Sequence, residues 1–149
     1  MDTCFLGEYH HKVDKKGRMS VPAKFRPGLG DKFYFVKGSG NCLYAYSAEE
    51  WQSIVERVTS SENFTKKSSQ RFLRKFFPSA GEAEVDAMGR ALIPANLREF
   101  AGLDDSTDIV VIGVANRVEI WSEEAWTSYC DEDDEEEMDI GSGMEIFDI

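Results

Sequence analysis

The feature that most constrains this chain of 149 residues is an internal repeat. Residues 13–26 and 85–98 are identical at seven positions, at a constant offset of 72. In the first copy these positions are Val13, Asp14, Gly17, Arg18, Pro22, Ala23 and Arg26. A second block, Tyr46–Trp51, recurs as Trp121–Trp126 at an offset of 75. The chain is therefore built from two copies of one small unit.

Each copy predicts the same order of secondary structure. Strands are predicted at 6–13, 19–21, 32–37 and 41–46 in the first copy and at 79–85, 91–93, 108–113 and 117–121 in the second. The first strand of each copy ends in an Asp-x-x-Gly-Arg turn, and the proline after the second strand opens a short helix. Each copy closes with a helix capped by Ser47 or Ser122, followed by two glutamates that suit the positive end of the helix.

The repeat also predicts the domain organisation. We assign 5–60 to a first domain, 61–76 to a helical linker, 77–129 to a second domain and 131–149 to an acidic tail without regular structure. A four-stranded unit of about 50 residues has little core and open sheet edges. Two such units can bury each other's apolar faces, which predicts an α+β fold arranged as an intramolecular pseudo-dimer.

The Asp-x-x-Gly sequence between two strands is typical of a turn. The carboxylates of Asp14 and Asp86 can accept backbone N–H groups, and Gly17 and Gly89 can adopt a positive φ. We therefore assign these four residues, together with Arg90, to the structure of the turns. The arginine after each glycine has two possible roles, because it can pair with the aspartate of a neighbouring turn or project outward to a phosphate or a base edge.

The distribution of charge separates the two copies. The net charge of −11 argues against a nucleic-acid partner. However, residues 1–78 carry +6, residues 79–130 carry −7 and residues 131–149 carry −10, and a ligand responds to the local field. Basic residues and two histidines surround the first turn, namely His10, His11, Lys12, Lys15, Lys16, Arg18, Lys24 and Arg26, against one acid, Asp14.

The second turn lacks these basic side chains at its tip. It has Ala87 and Met88 where the first turn has Lys15 and Lys16. We infer that the first turn faces an anion and that the second serves packing or assembly. A merely solvated basic face is the alternative. The same alternative is favoured for a second basic run, Lys66, Lys67, Arg71, Arg74 and Lys75, on the predicted helix about 68–77 of the linker.

The paired motifs, together with Phe5–Tyr9 and Arg90–Arg98, resemble the MraZ family, whose two halves are of the SpoVT-AbrB type. The resemblance covers about 4–130 and implies tandem swapped-hairpin modules that form a pseudo-dimeric β-barrel with peripheral helices. It also implies a nucleoid-associated transcriptional regulator. Such proteins assemble into rings on double-stranded DNA repeats upstream of their own gene, which usually heads a cluster for cell division and cell-wall synthesis.

Carried onto this chain, the resemblance makes Arg18 the main DNA contact, with Lys12, Lys15 and Lys16 beside it. We add Lys24 and Arg26, which complete the basic group around the first turn. The acidic tail departs from the family pattern. Because it carries −10 in the same chain as a +6 segment, we also consider that it competes with DNA for the basic turn.

The sequence contains few signals for other classes of function. No nucleophile–base pair, phosphate loop or metal cluster is recognisable, so we expect no catalysis, no cofactor, no metal and no small-molecule substrate. The chain has no apolar run that could span a bilayer and no signal-peptide pattern at its start, which favours a cytoplasmic location without membrane contact. The remaining alternative is a ring-forming interaction protein whose contact with DNA is only non-specific.

Overall fold

The computed structural model, which describes residues 4–132 and 134–149, contains a six-stranded antiparallel sheet and a two-stranded ribbon. The strands are β1 (Glu8–Lys12), β2 (Arg18–Ser20), β3 (Lys32–Lys37), β4 (Leu43–Ser47), β5 (Gly81–Glu84), β6 (Arg90–Leu92), β7 (Asp108–Val114) and β8 (Arg117–Ser122). The strand order is β1-β7-β8-β4-β3-β5 in the large sheet and β2-β6 in the ribbon.

Helices cover this framework. They are α1 (Arg26–Leu29), α2 (Ala48–Ser60), α3 (Gln70–Ser79), α4 (Ala95–Ala101), α5 (Glu123–Asp131) and α6 (Ile140–Ile146). Two short 3-10 turns, Glu62–Thr65 and Lys67–Ser69, connect α2 to α3. Among the described residues, no helix is long and apolar enough to cross a lipid bilayer.

The two copies of the repeat exchange strands. β1 of the first copy pairs with β7 of the second, and β5 of the second pairs with β3 of the first. In the ribbon Met19 lies opposite Ala91, and between β4 and β8 Tyr44 lies opposite Glu119. Each of these pairs joins equivalent repeat positions, so the copies are related by a pseudo-two-fold axis. The predicted α+β pseudo-dimer of swapped-hairpin modules is confirmed.

The larger of two hydrophobic clusters among the described residues contains side chains from both copies; the smaller one contains Cys42, Val110, Ile112 and Trp121. Phe25 and Phe33 of the first copy and Leu97 and Ile109 of the second are all buried in the larger cluster. Full burial of one such side chain contributes about 1.5–3 kcal/mol. Both clusters draw side chains from both copies, so the two copies pack against each other.

The closing helices begin where the sequence predicts. The Ser47 Oγ accepts the backbone N–H of Glu50 at 3.1 Å, and the Ser122 Oγ accepts that of Ala125 at 3.1 Å. The predicted linker helix is α3, displaced by about two residues because a 3-10 turn precedes it. Trp51 of α2 joins α3 to the body, with ring centroids 5.8 Å from Phe76 and 5.8 Å from Phe77.

Two local expectations differ from the structure. Pro94 directly precedes α4, but Pro22 opens a turn in which the Phe25 N–H donates to the Pro22 carbonyl at 2.8 Å, and α1 begins only at Arg26. The tail contains a helix, α6, where no regular structure is expected. Its N-terminus is capped by Asp139, whose side chain accepts the Ser142 N–H at 2.7 Å.

Candidate nucleic-acid interface

Each Asp-x-x-Gly-Arg turn is organised by its own aspartate. Asp14 Oδ1 accepts the backbone N–H groups of Lys16 and Arg18, both at 2.9 Å. Asp86 Oδ1 accepts those of Met88 at 2.9 Å and Arg90 at 2.8 Å. These contacts depend on the backbone at the turn tip and not on its side chains. The tip residues can therefore differ between the copies without changing the turn.

The same contacts fix the charge of the aspartates. The backbone N–H of Arg18 is the largest cause that lowers the pKa of Asp14, and the N–H of Arg90 does the same for Asp86. Hydrogen bonds to the ionised form favour that form. Both carboxylates are therefore ionised at neutral pH and can hold a guanidinium.

The two turns meet in a cluster of two aspartates and two arginines. Arg18 Nε donates to Asp14 Oδ2 at 2.8 Å, and Arg90 Nε donates to Asp86 Oδ2 at 3.1 Å. The second contacts cross the pseudo-two-fold axis, with Arg18 Nη1 at 3.9 Å from Asp86 Oδ2 and Arg90 Nη1 at 4.0 Å from Asp14 Oδ2. Each arginine thus pairs with its own turn first and with the neighbouring turn second.

The cluster does not distinguish the two arginines. Their side chains are 25% and 29% exposed and make equivalent contacts. Two cations and two anions leave the cluster close to neutral, and ion pairs this exposed contribute at most about 1 kcal/mol each. The division into a DNA-binding Arg18 and a structural Arg90 therefore stays a prediction, which depends on the neighbouring side chains.

Each turn also packs against an arginine of the opposite copy. The Arg98 guanidinium lies against Gly17, and the Arg26 guanidinium lies against Gly89. Arg98 Nε donates to the Ile93 carbonyl at 2.9 Å, and Arg26 Nε donates to the Val21 carbonyl at 2.9 Å. These contacts give Arg26 a role in the fold.

The glycines leave room for this contact. A Cβ atom at Gly17 would lie 2.5 Å from Arg98 Cζ, and one at Gly89 would lie 2.4 Å from Arg26 Cζ. Both glycines also have positive φ, +82° and +78°. Sequence reasoning did not single out Arg98. The available signal was its recurrence with Arg26 in both copies, which a role in the shared fold explains better than a role at one turn.

The lysines around the first turn differ in how accessible they are. Lys15 and Lys16 are exposed at the tip, and Lys24 is exposed in the turn before α1. Lys12 Nζ pairs with Asp108 Oδ1 at 2.8 Å across the β1–β7 pairing, which offsets its charge. The arginine–aspartate cluster is near neutral, and each turn has one further arginine against its glycine, Arg98 at Gly17 and Arg26 at Gly89. The charge that distinguishes the first tip therefore comes from Lys15 and Lys16.

The equivalent tip of the second turn presents Ala87 and an exposed Met88. Leu92 of β6 is also exposed nearby in the chain. One scaffold thus carries a basic tip and an apolar tip. Within the described residues, no group of three or more His, Cys, Asp or Glu side chains could hold a metal ion.

Comparison with known proteins gives one consistent family. The family model for the MraZ protein matches residues 4–75 and 76–141, one match for each copy of the repeat. A protein of Acetivibrio thermocellus named transcriptional regulator MraZ is 48% identical over 145 residues, 97% of this chain and 99% of its own. A protein of the same name from Desulforamulus reducens is 50% identical over 125 residues, 84% and 86% of the two chains.

The solution structure of PHS018 from Pyrococcus horikoshii is more distant. It covers 80% of this chain and 97% of its own, with a TM-score of 0.35 and 17% identity. That likeness is too low to inform the fold or the site.

Proposed function

The chain belongs to the MraZ family, and we propose that it is a DNA-binding transcriptional regulator that contacts double-stranded DNA through its first turn. The curated relatives named transcriptional regulators support the regulatory role. We also propose that it binds repeats upstream of its own gene, and that this gene heads a cluster for cell division and cell-wall synthesis. It would act in the cytoplasm, on the nucleoid.

The observation that carries this proposal is a chemical asymmetry on a symmetric scaffold. The two turns have equivalent hydrogen bonds, but Lys15 and Lys16 occupy one tip while Ala87 and Met88 occupy the other. If the fold required cations at the tips, both tips would carry them. The lysines are therefore best explained by a ligand that is negatively charged.

The geometry supports separate roles for the lysines and the arginine. Exposed lysines at a turn tip suit phosphate oxygens, which position a protein on DNA without reading sequence. Arg18 donates from Nε to Asp14, and its Nη1 is 3.9 Å from Asp86 Oδ2, which is too far for a hydrogen bond. Its terminal N–H groups can therefore donate to a ligand. A guanidinium held in this way can meet the O6 and N7 of a guanine in the major groove, a contact that discriminates by about 1–3 kcal/mol.

Assembly would give the turn several contacts at once. The exposed Met88 and Leu92 on the second turn and its strand suit a contact with another copy of the chain. In a ring of copies, the basic tips would meet successive DNA repeats. Each repeat then binds at the effective concentration set by its neighbours.

Footprinting of the full-length protein on the DNA upstream of its own gene tests the proposal. We expect evenly spaced protected sites, and weaker binding to a shuffled sequence of equal length and composition. Equal protection of both DNAs would instead favour a ring-forming interaction protein with only non-specific DNA contact. If the protein bound neither DNA at low salt, both the sequence-specific and the non-specific hypothesis would be contradicted.

A further inference from the structure

A cavity of about 430 Å³ lies between α2, α3 and the turns that join them, away from the turn tips. Six apolar side chains line most of it, namely Ile54, Val58, Phe64, Phe72, Leu73 and Phe76. Phe72 is 54% exposed, and Phe64 is also exposed, so the apolar wall is open to solvent. We call this feature the helical groove. An open apolar surface of this kind marks a binding site more often than a random surface does.

The border of the helical groove is positively charged. Lys66 and Lys67 lie in the chain between the groove residues Phe64 and Ser69, and Lys75 follows Phe72 by three positions on α3. Arg71 and Arg74 line a second cavity on the other side of α3. Arg57 also lines the groove but is paired with Glu50 at 3.1 Å, so Lys66, Lys67 and Lys75 supply the positive charge at its border. A ligand that fits this surface combines an apolar face with negative charge.

The C-terminal tail of the chain has this chemistry. Seven consecutive acids occupy residues 131–137, and apolar residues follow in and after α6. Ile140, Met144 and Phe147 are spaced at i, i+4 and i+7, which places them on one side of a helix. All three are exposed, Phe147 by 74%. The tail therefore presents an uncovered apolar face preceded by a strong negative charge.

The tail of the same molecule is directed elsewhere. The Tyr129 hydroxyl of α5 donates to Glu137, and Glu137 lines a different cavity together with Arg117 and Trp126. In this conformation the apolar face of α6 has no buried residue among those described. The molecule's own tail does not occupy the helical groove here, and the tail of a second copy supplies the right chemistry.

We propose that the C-terminal segment of one copy docks into the helical groove of a second copy. Ile140, Met144 and Phe147 would contact the apolar wall formed by Phe72 and Phe76. The acids of 131–137 would lie along the basic border of the groove. The lysines at the border of the groove then bind the protein's own tail, and the basic turn is left for its ligand.

Photocrosslinking within the full chain tests this proposal without using DNA. Benzoylphenylalanine replaces Phe147, and ¹⁴N-labelled and ¹⁵N-labelled copies are mixed before irradiation. Mass spectrometry then identifies the joined peptides. We expect residue 147 to be joined to peptides from residues 54–76, with mixed-isotope products showing that the contact is between copies.

Groove variants in the same full chain test the contact itself. Phe72→Glu removes an apolar contact and repels the acidic segment, so we expect about tenfold less crosslinking, which corresponds to about 1.4 kcal/mol. Leu6→Glu is the matched control, since Leu6 is an exposed apolar residue (69%) that does not line the groove. It should leave the yield unchanged.

Charge reversal offers a test that leaves the apolar wall intact. Lys66→Glu with Lys75→Glu changes only exposed side chains and should lower the crosslinking yield, with unchanged circular dichroism. Crosslinks to residues 12–26 would show that the tail covers the basic turn instead. Crosslinks only within one copy, or a yield that Phe72→Glu does not lower, would also overturn the proposal.

Discussion

Exchanging the tip of the first turn for that of the second isolates the role proposed for the two lysines. The double substitution Lys15→Ala with Lys16→Met gives the first tip the side chains of the second. The turn itself should persist, because the Lys16 N–H contact to Asp14 and the Met88 N–H contact to Asp86 are both 2.9 Å backbone contacts. The variant therefore removes two exposed cations from a fold that already tolerates their absence.

The size of the effect follows from counterion release. Each phosphate contact contributes about 0.9 to the slope of log affinity against log salt, so two lysines contribute about 1.8 per subunit. A fourfold rise in salt then costs about 3.5-fold per contact, or roughly tenfold for both. We expect the salt slope of the variant to be shallower by about 1.8. We also expect its affinity at low salt to be lower than that of the parent.

Fluorescence anisotropy with labelled upstream DNA, at salt concentrations between about 50 and about 200 mM, measures both quantities. The matched control is Lys66→Ala with Lys67→Met, which removes two exposed lysines from the linker. Urea unfolding should differ from the parent by no more than about 0.5 kcal/mol for either protein. An unchanged slope for the tip variant, or an equal loss for the linker variant, would refute the role of the first tip.

Three further predictions concern the turns. Gly17→Ala should lower the free energy of unfolding by about 2 kcal/mol or more, because a positive φ costs about 1–2 kcal/mol and the Arg98 guanidinium must also move. Gly102 has φ +69° and no atom within 4 Å of an added Cβ. In urea titrations, Gly102→Ala should therefore show only the cost of the positive φ. Because the folded-state pKa of Asp14 is lowered from 3.8, its stabilising effect is present above that pH and is lost as the pH falls below it. Asp14→Asn should therefore flatten the loss of stability as the pH falls below 3.8, and an unchanged acid profile would contradict this. Arg18→Ala should weaken upstream DNA binding by about tenfold or more, and Arg90→Ala by much less, with similar losses of stability; equal losses of binding would remove the distinction between the turns.

Much of the fold could be predicted from the sequence, because its signals are local. The spacing of apolar residues and turns places β3 at Lys32–Lys37, and a serine followed by two glutamates places the start of α2 and of α5. The offset of 72 between the copies predicts a pseudo-dimer, since units this small cannot bury enough apolar surface alone. The MraZ motif added the swapped hairpins, which periodicity does not reveal.

The candidate site could be predicted only in part. The charge around Lys15 and Lys16 is a property of the sequence, and so is its absence at Ala87 and Met88. Sequence reasoning could not show that Arg18 and Arg90 share one cluster with both aspartates, because those contacts join residues that are distant in the chain. The helix α6 and the helical groove were also missed, since neither has a motif.

What the sequence by itself determined is the repeated turn and the charge that separates its two copies. Both are fixed by the identity of neighbouring residues. Only the tertiary structure decided which copy packs against each turn. Strand exchange brings Arg98 onto Gly17 and Arg26 onto Gly89, so each turn depends on the opposite half of the chain. The physical reason is that a short turn cannot bury its own glycine, and the packing that covers it comes from a strand and helix that meet it only after folding.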